Sequence, residues 1–280
     1  MRIDLHLHSR ASDGTCAPDE VARLAAEKGL EAIALTDHDT VDGVAQCAAE
    51  CARLGLKFLP GIELSTGGDR EIHVLGYGIH PGNMKDRLLS LRDDRFGRMQ
   101  KMVEKIREAG MDVTMDDVLA MAGKAPLGRP HAALVLVQKG YASSVKNAFD
   151  RFLGDGRPCC VPRQRMSFAL AVQWIHECGG KAVVAHPVLI RTERRMLTQT
   201  LSGLMEMGAD GVEAFHSAHT PSDAHELETY ARRVNALVTG GSDFHGAVKP
   251  VQMEDGLRTW TSKKDDFERL CEGLQIFTGE

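Results

Sequence analysis

Histidines and acidic residues stand close together at several separate points of the sequence, and both residue types bind metal ions. The chain has 280 residues, of which 12 are histidine. His6 and His8 are two positions apart, so they lie on one face if this segment is extended. Asp243 and His245 have the same spacing. Imidazole and carboxylate groups are ligands for zinc, manganese and iron, and the sequence does not choose among these metals.

The elements that would carry these residues alternate between strands and helices. Apolar runs such as 31–36 and 181–186 predict strands, and segments with helical spacing such as 18–28 and 42–54 lie between the strands. This alternation predicts βαβ units and a parallel sheet. Residues 83–124 differ, because their apolar residues recur every three or four positions and predict a long helical stretch.

The chain is therefore expected to contain two parts. Residues 1–81 and 166–280 predict a barrel-like β/α domain, and residues 82–165 predict an all-helical insertion with further helices at 129–138 and 144–153. The predicted fold class is α/β.

Most candidate ligands fall where a predicted strand ends. In parallel α/β folds the carboxyl ends of the strands meet at one edge, where active sites are assembled. A buried polar group without a partner costs about 1–3 kcal/mol, so metal ions are the simplest explanation for so many such groups. The candidates are too many for one ion, and we expect two or three divalent ions. The expectation of bound metal ions depends on His6, His8, His38, Glu63, His186, Asp243 and His245.

Composition excludes several classes of protein. Hydrophobic residues make up 43% and charged residues 26%, which are ordinary values for a globular protein. The formal net charge of −5 argues against broad binding to duplex DNA. We expect neither a membrane-spanning helix nor a signal peptide. The seven cysteines are scattered without a CxxC pair, which predicts reduced thiols and a cytoplasmic location.

Five short motifs, in this order, resemble those of the polymerase and histidinol phosphatase (PHP) superfamily. They are DLHLH at 4–8, TDHDT at 36–40, GIE at 61–63, AHP at 185–187 and GSDFH at 241–245. The resemblance spans residues 3–245. It implies a distorted seven-stranded β/α barrel, similar to a TIM barrel, that holds a trinuclear metal site.

The resemblance also implies a ligand set for each ion. Asp13 lies in the ASDG sequence after the first predicted strand, which resembles an acidic loop of the family. Related phosphatases often have a histidine at this position. Glu63 would bridge two of the ions. The implied sets are His6, His8, Glu63 and Asp243 for the first ion, Glu63, His73 and His186 for the second, and Asp13, His38 and His245 for the third.

The sequence GRPH at 128–131, inside the helical insertion, narrows the resemblance to nucleoside 3′,5′-bisphosphate phosphatases and related 5′→3′ exoribonucleases. By this analogy Arg129 and His131 would bind the substrate phosphate, and the insertion would cap the substrate. His219 would also face the substrate. An alternative is that Arg129 simply begins a helix at the surface. Arg163 and Arg165 would add positive charge, and for these a solvated surface is the favoured interpretation.

The expected activity is metal-dependent hydrolysis of a terminal phosphate of a nucleotide or short 5′-phosphorylated oligonucleotide. A metal-bridging hydroxide would attack phosphorus, since metal coordination lowers the pKa of water to about 7. The resemblance assigns catalytic roles to Asp243, His245 and His216, and either His216 or His219 could protonate the leaving group. Three alternatives remain open: a histidinol-phosphate phosphatase, a hydrolase of C–N bonds, and a non-catalytic metal-binding module.

Overall fold

The computed structural model describes residues 1–67, 72–123, 128–154, 156–161, 166–190, 194–249, 251–253, 264–274 and 276–277. The chain divides into two compact units. One unit combines Met1–Arg87 with Arg165–Glu280, and the other is Leu88–Gln164.

The first unit is built on a seven-stranded sheet in which the strands follow one another in sequence order. The strands are β1 (Ile3–Leu7), β2 (Ala32–Leu35), β3 (Lys57–Thr66), β4 (Ile72–Tyr77), β5 (Lys181–Val184), β6 (Gly211–His216) and β7 (Leu237–Gly241). Beyond the ends of β1 and β7, a hydrogen bond from the His8 N–H to the Phe244 carbonyl, at 2.9 Å, links the first strand to the last. The predicted α/β fold with a seven-stranded, barrel-like sheet is confirmed.

One strand corrects the expectation of a parallel sheet. β4 runs antiparallel to both β3 and β5. Only residues 67–71 join β3 to β4, and a parallel pair needs a crossover of a dozen or more residues. The reversal has a consequence for the site. It brings the start of β4, with His73 paired to Ser65, to the edge where the neighbouring strands end.

A glycine permits β7 to lie against β1. A Cβ atom at Gly241 would come within 2.1 Å of the His6 Cβ and 2.6 Å of the His6 backbone nitrogen. These distances are far below van der Waals contact, so no larger residue fits without moving a strand. The close approach positions His6 beside the segment that carries Asp243, whose backbone N–H donates to the His6 carbonyl at 2.9 Å.

Helices accompany the strands of this unit: α1 (Pro18–Glu27), α2 (Val44–Leu54), the beginning of α3 (Pro81–Glu108), α7 (Phe168–Glu177), α8 (Arg194–Glu206), α9 (Pro221–Arg233) and α10 (Lys264–Cys271). Their ends follow local rules. Pro18 and Pro221 occupy first-turn positions, and Gly55 ends α2 in the left-handed conformation with φ of 71°.

The second unit is helical in the residues that the structure describes. It contains the rest of α3, α4 (Met115–Ala122), α5 (Arg129–Gln138), α6 (Val145–Ala148) and a π-helical turn (Phe149–Leu153). Its core includes Met102, Ile106, Val113, Val118, Ala132, Leu136 and Leu153. Two helices, α3 and α4, carry the helical periodicity predicted over 83–124, because Gly110, with φ of 82°, follows the end of the first and the Thr114 hydroxyl caps the second.

No helix among the described residues is both long and apolar enough to cross a membrane. All seven cysteines are free thiols.

Candidate metal centre

Four buried side chains meet near the ends of β1 and β7 and beside Glu63, which lies within β3. The ligand atoms of His6, His8, Glu63 and Asp243 all lie within 4.8 Å of one another. The His6 and His8 Nε2 atoms are 3.1 and 3.2 Å from Glu63 Oε2. The same two atoms lie 3.6 and 3.3 Å from Asp243 Oδ1. Two imidazoles and two carboxylates therefore point at one small volume.

Glu63 connects this group to a second one. Its Oε1 is 2.8 Å from His73 Nδ1 and 3.0 Å from His186 Nε2. Its Oε2, which faces the pair of histidines on the first strand, is also 3.2 Å from His38 Nδ1. Because its two oxygens face different imidazoles, the fully buried Glu63 is placed to bridge two cations.

A third group is more open to solvent. The ligand atoms of His8, Asp13, His38 and His245 lie within 4.8 Å of one another. Asp13 Oδ1 is 3.3 Å from His245 Nε2, and the Asp13 side chain is 54% exposed. The three groups overlap and bring together all nine residues named as ligands in the sequence analysis, which are His6, His8, Asp13, His38, Glu63, His73, His186, Asp243 and His245.

Two further aspartates near the motifs face other partners. Asp37 accepts hydrogen bonds from the Ser9 N–H at 2.7 Å, the Ser9 hydroxyl at 2.7 Å and the Ser12 hydroxyl at 2.6 Å. It thereby holds the loop on which Asp13 lies. Asp4 accepts from the Ser242 N–H at 2.9 Å and from its hydroxyl at 2.6 Å, and burial raises the Asp4 pKa to about 6. Both carboxylates position segments that carry candidate ligands.

Sequence reasoning missed Glu213, which is fully buried in β6. Its Oε1 accepts a hydrogen bond from His6 Nδ1 at 2.9 Å, and its Oε2 accepts one from the His186 backbone N–H at 2.7 Å. The sequence could have indicated Glu213, because it is the single charged residue in the otherwise apolar strand segment GVEAF. A buried charge in a strand requires a partner.

Lys249 was also missed. Its Nζ lies 2.8 Å from Asp243 Oδ2, the oxygen opposite the one that faces the histidines of β1. Nothing in the local sequence singles this lysine out, since only the three-dimensional turn after His245 brings it back to the site.

The charges in the cluster are strongly coupled. Burial alone would raise the pKa of the Glu63 carboxyl, but the neighbouring His6 charge and the hydrogen bonds from His186 and His6 outweigh it and hold the pKa well below its usual range. Burial alone would lower the His6 pKa, but the carboxylates of Glu213 and Glu63 raise it well above 6.5. Burial lowers the pKa of His38 to about 4, so its imidazole is neutral at pH 7.

Several buried imidazole nitrogens in the described part of the chain have no hydrogen-bond partner. They include both ring nitrogens of His8, Nδ1 of His38 and Nε2 of His245. Such atoms are costly to bury unless something satisfies them. Because they converge with carboxylate oxygens and no thiolate takes part, the donor set fits divalent cations that accept nitrogen and oxygen ligands.

His216, the last residue of β6, and His219, which follows the strand, have opposite hydrogen-bonding roles. His216 Nδ1 accepts from the Ala218 N–H at 3.0 Å, which places the proton of a neutral ring on Nε2, 3.6 Å from Asp243 Oδ2. His219 Nδ1 donates to the Ala214 carbonyl at 2.9 Å, and burial lowers the His219 pKa to about 4. His216 can therefore donate from Nε2, whereas His219 can accept there.

Arg129 and His131 lie at the start of α5 in the helical unit. His131 Nδ1 accepts from the Gly128 N–H at 3.1 Å, and Arg129 Nη1 donates to the Leu153 carbonyl at 3.3 Å. These contacts stabilise the helix start. Arg163 and Arg165 lie outside the described residues.

A β/α barrel whose strand ends hold overlapping groups of histidines and carboxylates defines the class of metal-dependent barrel hydrolases. The sequence profile of the PHP domain matches residues 4–153, and the chain belongs to this family. The predicted resemblance is therefore confirmed. The protein is a metal-dependent hydrolase that acts on phosphoesters, as the family and its relatives indicate.

Two curated relatives and one solved structure are close over most of the chain. The 3′,5′-nucleoside bisphosphate phosphatase of Chromobacterium violaceum is 35% identical over 87% of each chain. The 5′-3′ exoribonuclease Rnm of Escherichia coli is 32% identical over 92% of this chain and 89% of its own. A structure described as an amidohydrolase from Chromobacterium violaceum, with bound sulfate and no metal, has a TM-score of 0.67 and 32% identity over 100% and 99% of the chains.

Proposed function

We propose that this protein removes a terminal phosphate from small nucleotides, with nucleoside 3′,5′-bisphosphates as the preferred substrates. The observation that carries the proposal is the bridging position of Glu63, which belongs to two of the groups of candidate ligands and contacts His38 of the third. A phosphatase and an exoribonuclease at similar identity support nucleotide phosphoesters as the substrate class. Short 5′-phosphorylated oligonucleotides are the second substrate to examine.

The nine clustered residues would hold two or three divalent ions, of manganese, zinc or iron. When bound, such ions lower the pKa of water and neutralise phosphoryl oxygens. Glu63 and Asp243 supply the central carboxylates, and both carry a pKa below its ordinary value. For each of them burial opposes the shift, but nearby histidines outweigh it, including His6 for Glu63 and His216 for Asp243. Both residues are thus anionic ligands at neutral pH.

The remaining groups of the site would act on the substrate. His216 presents an Nε2–H beside Asp243 Oδ2, where it can donate to the leaving oxygen. His219 holds a neutral ring and can accept a substrate hydroxyl. Phosphate binding by Arg129 and His131 is part of the same proposal. The free thiols favour a cytoplasmic setting for the enzyme.

The experiment measures product release by the metal-loaded protein from four substrates, as phosphate or mononucleotide from the phosphate esters and as ammonia from the amide. These are 3′-phosphoadenosine 5′-phosphate, a short 5′-phosphorylated RNA, histidinol phosphate, and an amide whose hydrolysis releases ammonia. We expect the nucleotide to be the best substrate. Faster turnover of histidinol phosphate or of the amide would contradict the proposal and favour those activities instead.

Asp243→Ala provides the matched inactive variant. Asp243 is a buried polar residue in the segment after β7 and is not part of the apolar core, so the variant should fold while losing turnover by about a hundredfold or more. Near-native phosphate release by a folded Asp243→Ala protein would contradict the assignment.

A further inference from the structure

Lys249 places an ammonium group at the solvent side of the cluster. Its Nζ contacts Asp243 Oδ2 at 2.8 Å, and its side chain is 39% exposed, whereas that of Asp243 is 10% exposed. Asp243 Oδ1 faces His8 Nε2 at 3.3 Å. Lys249 therefore lies on the solvent side of Asp243.

The turn that carries Lys249 is held in place. Gly246 has φ of 69°, and a Cβ there would come within 2.1 Å of the Thr15 hydroxyl. The Ala247 N–H donates to that same hydroxyl at 2.9 Å, and the Thr15 N–H donates to the His245 carbonyl at 3.1 Å. These hydrogen bonds hold the backbone at 245–247 against the loop after β1. The position from which the Lys249 side chain extends toward Asp243 is therefore fixed.

The partner of Lys249 should change when cations occupy the cluster. A partly exposed ion pair contributes little to stability, about 0–1 kcal/mol, so the ammonium can exchange partners. Divalent cations on the Oδ1 side would neutralise Asp243 and repel the ammonium. A phosphate dianion held at the cluster then becomes the stronger partner, and a lysine on a flexible stem can follow it.

We propose that Lys249 binds a phosphoryl oxygen of the substrate, or of product phosphate, and rests on Asp243 only when neither is present. The inference rests on the proposed phosphatase function, which it deepens by naming a residue that recognises the phosphate. Lys249 adds the positive charge that a phosphate dianion needs at the outer rim of the site. Its contribution is expected mainly in binding and less in turnover.

The test measures binding of inorganic phosphate to the metal-loaded protein by calorimetry, together with its metal content. Lys249→Met keeps the unbranched apolar stem and removes the ammonium group, and Lys249→Arg keeps the charge. Lys85→Met is the matched control, because Lys85 also pairs with a carboxylate, Asp42, at 2.7 Å. Steady-state kinetics with 3′-phosphoadenosine 5′-phosphate accompany each variant.

We expect Lys249→Met to keep its metal, to weaken phosphate binding by about tenfold or more, and to raise KM more than it lowers kcat. Lys249→Arg should recover part of the affinity, and Lys85→Met should match the wild type. The proposal is overturned if Lys249→Met binds phosphate as the wild type does, if it loses metal as well, or if the wild type binds no phosphate.

This outcome is separate from that of the proposed function, because the phosphate titration needs no turnover. A wild type that binds phosphate through Lys249 but hydrolyses no nucleotide would refute the proposed substrate and leave the role of Lys249 standing.

Discussion

The Glu213 carboxylate accepts a hydrogen bond from His6 Nδ1 at 2.9 Å, and both side chains are fully buried. This contact turns His6 Nε2 toward Glu63 and Asp243. A carboxylate behind a metal-binding histidine fixes its ring orientation and increases its basicity. The relationship explains why a charged residue occupies the interior of β6.

Replacing Glu213 with glutamine should therefore weaken metal binding. We expect affinity for divalent ions to fall about 10- to 100-fold, because the ring of His6 loses its anionic partner. Competition with a metal-binding dye measures the effect. Glu228→Gln is the control, since Glu228 lies on α9 and pairs with Arg232 at 3.5 Å. Equal metal affinity in Glu213→Gln and Glu228→Gln would contradict the positioning role.

Gly241→Ala should destabilise the protein strongly. The added Cβ would collide with His6, and the free energy of unfolding should fall by about 3 kcal/mol. Gly203→Ala is the matched control, because no atom outside the adjacent helix backbone lies within 4 Å of the added methyl in α8 and the change should stabilise by about 0.5–1 kcal/mol. Urea denaturation measures both. Similar stabilities of the two variants would refute the close approach of β1 and β7.

Metal binding should release protons at pH 7. Burial alone would lower the pKa values of His6 and His8, but the carboxylates around them raise both, that of His6 well above 6.5, so these rings hold their protons more tightly than a free imidazole does. A metal ion must displace those protons, and the apparent affinity should rise with pH. Calorimetric titration in buffers of different ionisation enthalpy counts the protons. A binding heat that does not depend on the buffer would contradict this expectation.

His219 should make the protein less stable as the pH falls. Its pKa is lowered to about 4 by burial, so the unfolded chain, with a pKa near 6.5, binds the proton first. The stabilisation is present above about pH 6.5 and is lost as the pH falls toward 4. Between pH 7.5 and pH 5 the loss should be about 2 kcal/mol.

The control for this prediction is His219→Asn, whose amide can still donate to the Ala214 carbonyl but does not titrate. The stability difference between wild type and His219→Asn, from urea denaturation, should shift by that amount. A difference that stays constant with pH would show that the imidazole is not buried in its neutral form.

Much of the site could be predicted because the pattern of apolar residues indicates where a strand ends. An apolar run that stops at a histidine or carboxylate, as at His186, indicates the carboxyl edge of a sheet. The reversal of β4 could not be read in this way, since apolar patterns do not show the direction of a strand. His73 therefore reaches the edge from the beginning of its strand, not from its end.

The directions of individual side chains also required the structure. Asp4 alternates with His6 and His8 along β1, yet its carboxylate turns to Ser242. Asp243 adopts φ of 59°, a conformation that is uncommon for a residue with a side chain. The sequence alone does not predict this conformation. The roles of Arg129 and His131 in phosphate binding stay predictions.

The central claim is that Glu63 and the histidines around it jointly hold divalent cations. The most direct measurement is elemental analysis of the wild type and of Glu63→Gln after loading with manganese and removal of free metal. We expect more than one bound ion per wild-type chain and a marked loss of metal from a folded Glu63→Gln protein. A wild type without metal, or a Glu63→Gln variant with the same metal content as the wild type, would contradict it.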